Sequence, residues 1–208
     1  MKFMATPPVN GDLSELIVYP QDFLFPIPDN MSYEIATLNE PFSVSIHTAQ
    51  LLEIKPGSSV FISGGGPVGL LAILAARTFG AKQIIVSDTQ ALRLSTAKKM
   101  GADRVINALE EDPRDVIPTL TNGEGVDFVI EASGNPKAER TALRTLKRGG
   151  KLGADHRCRS AGYSVYDGPR DASLRCIPLC QYVCAGLGDL GKEYGVSRKS
   201  ADGFLSVK

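Results

Sequence analysis

An α/β fold with a parallel sheet, incomplete at about four strands, is the architecture this sequence predicts. Two observations carry it. Short apolar runs alternate with helix-length segments from Val60 to Lys147, and such alternation pairs strands in parallel with helices packed on the sheet faces. A glycine-rich turn, Ser63-Gly64-Gly65-Gly66-Pro67-Val68-Gly69, sits between the first of these strands and the first crossover helix.

The elements follow in order. Residues 1–30 are rich in proline (Pro7, Pro8, Pro20, Pro26, Pro28), and Leu13–Tyr19 offers one possible strand between them. This stretch is too short to bury a core of its own and reads as the edge of another domain. A helix is expected from Pro41, well placed as a first helical residue, to about Glu53, with Phe42, Ile46, Ala49 and Leu52 at helical spacing. Val60-Phe61-Ile62 is a strand, and Leu70–Phe79 a helix stopped by Gly80. Ile84-Ile85-Val86 is the second strand, Ala91–Met100 the second crossover helix, and Val105-Ile106 the third strand. Residues 113 to about 121 form a helix weakened by Pro118, which has no N–H to give. Val126–Ile130 is the fourth strand and Pro136–Lys147 the last helix, ended by Gly149-Gly150. A fifth strand begins at Lys151-Leu152, and Gly153–Arg157 is expected to stop it. From Gly153 onward no period survives, so residues 153–208 read as a divergent, poorly ordered tail.

Composition excludes several function classes. The 208 residues are 43% apolar and 22% charged, with 23 basic and 23 acidic side chains. No basic excess points to nucleic acid. No apolar run approaches the roughly 18 residues a membrane span needs. The N-terminal MKFMATPPVNGD lacks the apolar core of a signal peptide, so a cytoplasmic protein is expected.

The glycine turn carries the chemistry. It contains G-x-G-x-x-G between strand and helix, the context a dinucleotide-binding, Rossmann-type fingerprint requires. Gly64 permits the tight turn, Gly66 lets a pyrophosphate approach the backbone, and Gly69 lets the helix pack close to the strand. With Pro67 and Val68 they open a helix whose free N–H groups and positive dipole end suit phosphate. Asp88 follows the second strand, nineteen residues after Gly69. A carboxylate there accepts hydrogen bonds from ribose hydroxyls and repels a 2′-phosphate, so NAD is expected rather than NADP. The competing reading of Asp88 is a turn residue after a strand. Arg93 is placed near the adenine or its ribose, or else is a solvated helix arginine.

These residues resemble a known family. Phe3-Met4-Ala5-Thr6-Pro7-Pro8, Ile27-Pro28-Asp29, Glu40-Pro41-Phe42-Ser43-Val44, Ile46-His47 and the Gly64–Gly69 turn are similar to zinc-dependent medium-chain dehydrogenases, nearest the sorbitol (L-iditol) and polyol branch. Lys99–Asp103, Gly123–Asp127, Glu131-Ala132-Ser133-Gly134 and Arg148–Lys151 continue the likeness, which spans residues 3–152. The resemblance implies residues 1–36 as a remnant of a GroES-like β domain and 37–152 as the NAD-binding domain. It implies NAD-linked oxidation of a secondary alcohol of a small-molecule polyol to a ketose, with zinc polarising the substrate oxygen, in homo-oligomeric relatives. It places Ser133 and Gly134 near the nicotinamide ribose and Glu40 at the catalytic zinc, although beside Pro41 Glu40 also suits a helix N-terminus.

The match has gaps. The family's other zinc ligands, a cysteine and a His-Glu pair, align upstream of Met1. Residues 1–150 hold no cysteine and one histidine, His47, whereas a catalytic zinc needs about three protein ligands. Zinc binding and a complete catalytic set are therefore not expected in this chain. All four cysteines, Cys158, Cys176, Cys180 and Cys184, lie in the tail, where their spacing fits no common zinc pattern. Three readings stay open: a polyol dehydrogenase, a non-catalytic NAD-binding remnant or functionless fragment, and a zinc-free quinone reductase. The glycine spacing, Asp88 and Glu40-Pro41 count against the last.

Overall fold

The computed structural model describes residues 10–11, 13–21, 24–154 and 177–178. The described residues up to Thr37 and those from Leu38 onward fall in two compact units. In the first, Leu13–Tyr19 forms no strand among the described residues, contrary to the expectation. A strand needs a ladder partner, and none of the described strands pairs with it. Leu13, Leu16 and Val18 are exposed instead. A single helical turn, α1 (Tyr33–Ala36), is capped by Ser32, whose hydroxyl accepts from the Ile35 amide.

The second unit opens with α2 (Asn39–Leu52). It starts two residues before Pro41, because the first turn has several N–H groups without helical partners and tolerates proline beyond its first position. There follow β1 (Ser59–Ser63), α3 (Pro67–Thr78), β2 (Gln83–Asp88), α4 (Ala91–Lys99), β3 (Arg104–Asn107), α5 (Pro113–Leu120), β4 (Val126–Glu131), α6 (Pro136–Leu143), β5 (Leu146–Ala154) and the two-residue β6 (Ile177–Pro178). The strands lie in the order β3-β2-β1-β4-β5-β6, and each pair is parallel. This is the doubly wound Rossmann order, with its switch point between β1 and β4.

Side chains alternate across the sheet as the strand period demands. Val60, Ile62, Ile84, Val86, Phe128 and Ile130 bury one face, where Leu52 of α2, Ala72 and Ile73 of α3 and Ala97 of α4 join them. Phe61, Ile85, Ile106, Val129 and Leu152 bury the other, against Ile117 of α5 and Ala142 and Leu143 of α6. Both faces are thus covered, which explains why the strands read as unbroken apolar runs.

Two expectations near the end of this unit need correction. The last helix stops at Leu143, not Lys147, because Leu146 already pairs with Val126 in the sheet. The fifth strand does not halt at Leu152: Lys151–Ala154 pairs in register with Phe128–Glu131, past an irregularity between Val126 and Phe128. The sheet therefore exceeds the four strands foreseen. Gly153, read as a breaker, is a packing residue. A Cβ there would stand 3.1 Å from the Thr48 methyl and 3.4 Å from Leu52, so its absence lets β5 lie close under α2. Of the tail, the stretches 155–176 and 179–208, with all four cysteines, lie outside the described residues.

Candidate functional site

The C-terminal ends of β1, β2 and β4 bring three loops together. In the first, Gly64 has φ +105, a conformation that favours glycine, and its amide donates to the Ser87 carbonyl at 2.8 Å. A Cβ on Gly64 would meet the Ser133 nitrogen at 2.7 Å and the Ala132 carbonyl carbon at 2.8 Å. The bend out of β1 therefore lies directly on the peptide that leaves β4. Gly69 has a different reason. Its Cβ would fall 1.9 Å from the Gly64 carbonyl oxygen, so only glycine allows α3 this approach to the turn.

Gly66 contrasts with both. Its backbone is extended, it caps α3, and among the described residues nothing lies within 4 Å of where a Cβ would be. Internal packing does not require glycine there. Pro67 follows at the start of α3, where its missing N–H costs no helical bond. The Val68 carbonyl accepts from the buried Ser45 hydroxyl of α2 at 3.2 Å, which anchors this first turn from behind.

Asp88 ends β2 and is buried. Its Oδ2 accepts from the Gly65 amide at 2.7 Å and its Oδ1 from the Gln90 amide at 2.8 Å. The carboxylate is therefore turned into the glycine loop and locked from both sides. Arg93 on α4 sits with Nη1 3.4 Å from Oδ2, its side chain nearly half exposed.

The third loop holds a buried acid to which the sequence alone assigns no role. Glu131, at the end of β4, is 2% exposed and pairs in register with Ser63 of β1. Its Oε1 accepts from the Ser133 amide at 2.9 Å and from the Ser133 hydroxyl, and its Oε2 from the Gly134 amide at 3.3 Å. Burial pushes the Glu131 carboxyl above its ordinary range; bonds from Ser133 and Gly134 oppose this, and the charge of Glu139 reinforces it. An acidic residue closing the apolar run Val126-Asp127-Phe128-Val129-Ile130 was the visible signal. Asn135 then caps α6, its side chain accepting from the Lys137 amide at 2.8 Å.

The structure thus gathers Gly64, Gly66, Pro67, Val68, Gly69, Asp88, Arg93, Ser133 and Gly134 at the C-terminal end of the sheet. Glu40 is an exposed acid in the first turn of α2. Among the described residues no group of three or more His, Cys, Asp or Glu side chains could hold a metal. The described residues do not fit a zinc centre. His47 on α2 is pushed below the usual histidine range by burial, with a hydrogen bond to Gln50 opposing.

The family described as zinc-binding dehydrogenase matches residues 67–154, from the first turn of α3 to the end of β5. Those residues belong to this family. The chain is 53% identical over 152 residues to sorbitol dehydrogenase of Bacillus subtilis (strain 168), an overlap covering 73% of this chain and 43% of that protein. It is 40% identical over 142 residues to L-threonine 3-dehydrogenase of Chromobacterium violaceum, covering 68% of this chain and 41% of that one. Among solved structures, an alcohol dehydrogenase from Thermus sp. ATN1 superposes with a TM-score of 0.66 at 30% identity, over 81% of this chain and 50% of that one. The chain therefore spans about two fifths of the length of the curated relatives it matches. Among the described residues no helix is long and apolar enough to cross a membrane.

Proposed function

We propose that this zinc-binding dehydrogenase chain binds NAD across the β1, β2 and β4 loops and serves NAD-linked oxidation of a polyol's secondary alcohol to a ketose, in the cytoplasm. The space in front of Gly66 carries the reading. Gly64 and Gly69 are glycines because protein atoms crowd them, but among the described residues no atom crowds Gly66. A glycine at an open helix N-terminus leaves the backbone bare toward a ligand, as a pyrophosphate requires.

The geometry supports these roles. Gly66, Pro67 and Val68 present the first turn of α3, with its unpartnered amides, to the diphosphate. Asp88, oriented by the Gly65 and Gln90 amides, keeps lone pairs for ribose hydroxyls and sets a negative charge against a 2′-phosphate. Arg93 flanks the same pocket edge. Ser133 and Gly134 lie beyond the switch point, on the half of the crevice where a nicotinamide would lie. NAD, when bound, supplies the hydride acceptor. The polyol assignment draws on the sorbitol dehydrogenase relative, the more similar of the two curated relatives compared.

The test is thermal unfolding of the purified chain with and without NAD, followed by NADH formation with sorbitol or xylitol. A rise in Tm with NAD larger than with NADP, and polyol-dependent reduction of NAD, are expected. Absence of any NAD-induced shift refutes the binding site. A shift without turnover on either polyol refutes the catalytic part alone and leaves a nucleotide-binding protein.

A further inference from the structure

A carboxylate that is 2% exposed needs compensation, and Glu131 accepts hydrogen bonds from one short turn: the Ser133 amide, the Ser133 hydroxyl and the Gly134 amide. An ionised carboxylate suits this task better than an amide side chain. It offers two acceptor oxygens and no donor, whereas a glutamine would aim its NH2 at one of these N–H groups. The Ser133 nitrogen so held is the same atom that lies against Gly64. The neighbouring Ala132 amide donates to the Ser63 carbonyl at 2.8 Å, and the Ser133 hydroxyl accepts from the Asn135 amide at 3.1 Å. The carboxylate therefore ties together the exit of β1, the exit of β4 and the start of α6.

We propose that Glu131 is the positioning residue of the nicotinamide half of the crevice: its buried carboxylate fixes the Ser133–Gly134 turn against the Gly64 bend, and so presents that turn to the part of the cofactor beyond the diphosphate. This rests on the NAD-binding reading above. Glu131 touches no cofactor in this scheme; it acts through Ser133 and Gly134. Its reach is confined to one side of the switch point, because the phosphate and adenosine contacts belong to Gly66 and Asp88.

That confinement gives a readout that a merely structural role would not move. Calorimetric titration of the full chain with NAD and, separately, with ADP compares a ligand that spans the crevice with one that occupies only the Gly66–Asp88 side. Glu131→Gln is expected to weaken NAD by at least about tenfold, the order of one hydrogen bond to a charged group, with ADP affinity unchanged. Ser133→Ala, which removes the hydroxyl bond but keeps the amide, is expected to lower the NAD-to-ADP ratio in the same sense by a smaller factor. Asp127→Asn, at the opposite end of β4, is expected to leave the ratio at the wild-type value. A ratio unchanged in Glu131→Gln overturns the proposal. Should that variant fail to fold by circular dichroism, an unchanged ratio in Ser133→Ala overturns it instead. If the wild-type chain binds neither NAD nor ADP, the site reading itself falls, and Glu131 with it.

Discussion

Replacing each of two glycines in the same turn by alanine should produce opposite failures. At Gly69 the new methyl would stand 1.9 Å from the Gly64 carbonyl oxygen, where ordinary contact begins near 3.4 Å, so helix or turn must yield by about 1.5 Å. Overpacking of this kind costs roughly 1–3 kcal/mol or more, and the better helix propensity of alanine returns only about 1 kcal/mol. A net loss of about 1–2 kcal/mol is expected, which lowers the urea midpoint by about 0.5–1 M for a typical slope. At Gly66 the methyl meets none of the described residues, and φ is −70°, so stability should change by less than about 1 kcal/mol. The methyl instead occupies the path of a diphosphate. At a hundredfold excess of NAD over its Kd, binding stabilises the wild type by about 2.7 kcal/mol, or a Tm rise of roughly 5–11 °C for a chain this long. A thirtyfold loss of affinity in Gly66→Ala would leave about 0.9 kcal/mol of that, a rise of roughly 2–4 °C. Scanning fluorimetry with and without NAD, alongside urea unfolding, reads both variants. The reasoning is refuted if Gly66→Ala keeps the full NAD shift, or if Gly69→Ala unfolds at the wild-type urea concentration.

Asp88→Asn keeps one acceptor for the loop amides and removes the charge, so the ratio of NAD to NADP affinity should fall by at least about tenfold; an unchanged ratio in competition titrations would show that Asp88 does not face the ribose. Burial raises the Asp127 carboxyl, but bonds from Lys147 and from the Ser59 amide and hydroxyl outweigh it and hold it below the ordinary range. Its stabilisation is then present above the unfolded value near 3.9 and lost as pH falls through the lower folded value. Asp127→Asn should flatten the acid limb of stability against pH, and an acid limb like the wild type's would contradict this. For Glu131 the sign reverses: because its folded value is raised, the contribution is full below the unfolded value of about 4.3 and lost as pH rises through the higher folded value. Wild-type stability relative to Glu131→Gln should therefore decline across that window, and a flat difference would count against the buried carboxyl.

Much of this architecture was legible because the chain punctuates itself. Gly80 and Gly101, both at positive φ, stop their helices where the sequence placed the stops. The buried strand runs are apolar on both faces because helices cover both. The glycine turn and Asp88 were readable because each has a fixed offset from a strand end. What the sequence hid depended on partners distant in the chain. Gly153 looks like a breaker until α2 is seen to press on it through Thr48 and Leu52. Leu146 continues a helical period, yet its strand partner Val126 decides its state. Leu13–Tyr19 has strand-like residues, but β propensity without a neighbouring ladder does not make a strand. Glu131 escaped notice for a related reason: its acceptors are filled by amides two and three residues on, and nothing in the residue letters says that the turn will fold back onto it.

β4 shows how one strand divides its labour between its ends. At its foot, Asp127 takes the Ser59 amide and hydroxyl and pairs with Lys147, joining β1, β4 and the start of β5 at a partly exposed site. Water screens this cluster, so it fixes strand register at small electrostatic cost. At its head, Glu131 is withdrawn from water, and its carboxyl is raised rather than lowered. A buried acid of this kind is a poor device for stability, because an apolar residue of like volume would avoid the desolvation. What it provides is an acceptor-only anchor at the end of the sheet where loops must hold a shape with few side chains of their own. Gly64, Gly66 and Gly134 bring backbone but no packing to that end, and geometry there has to be imposed from the strand beneath.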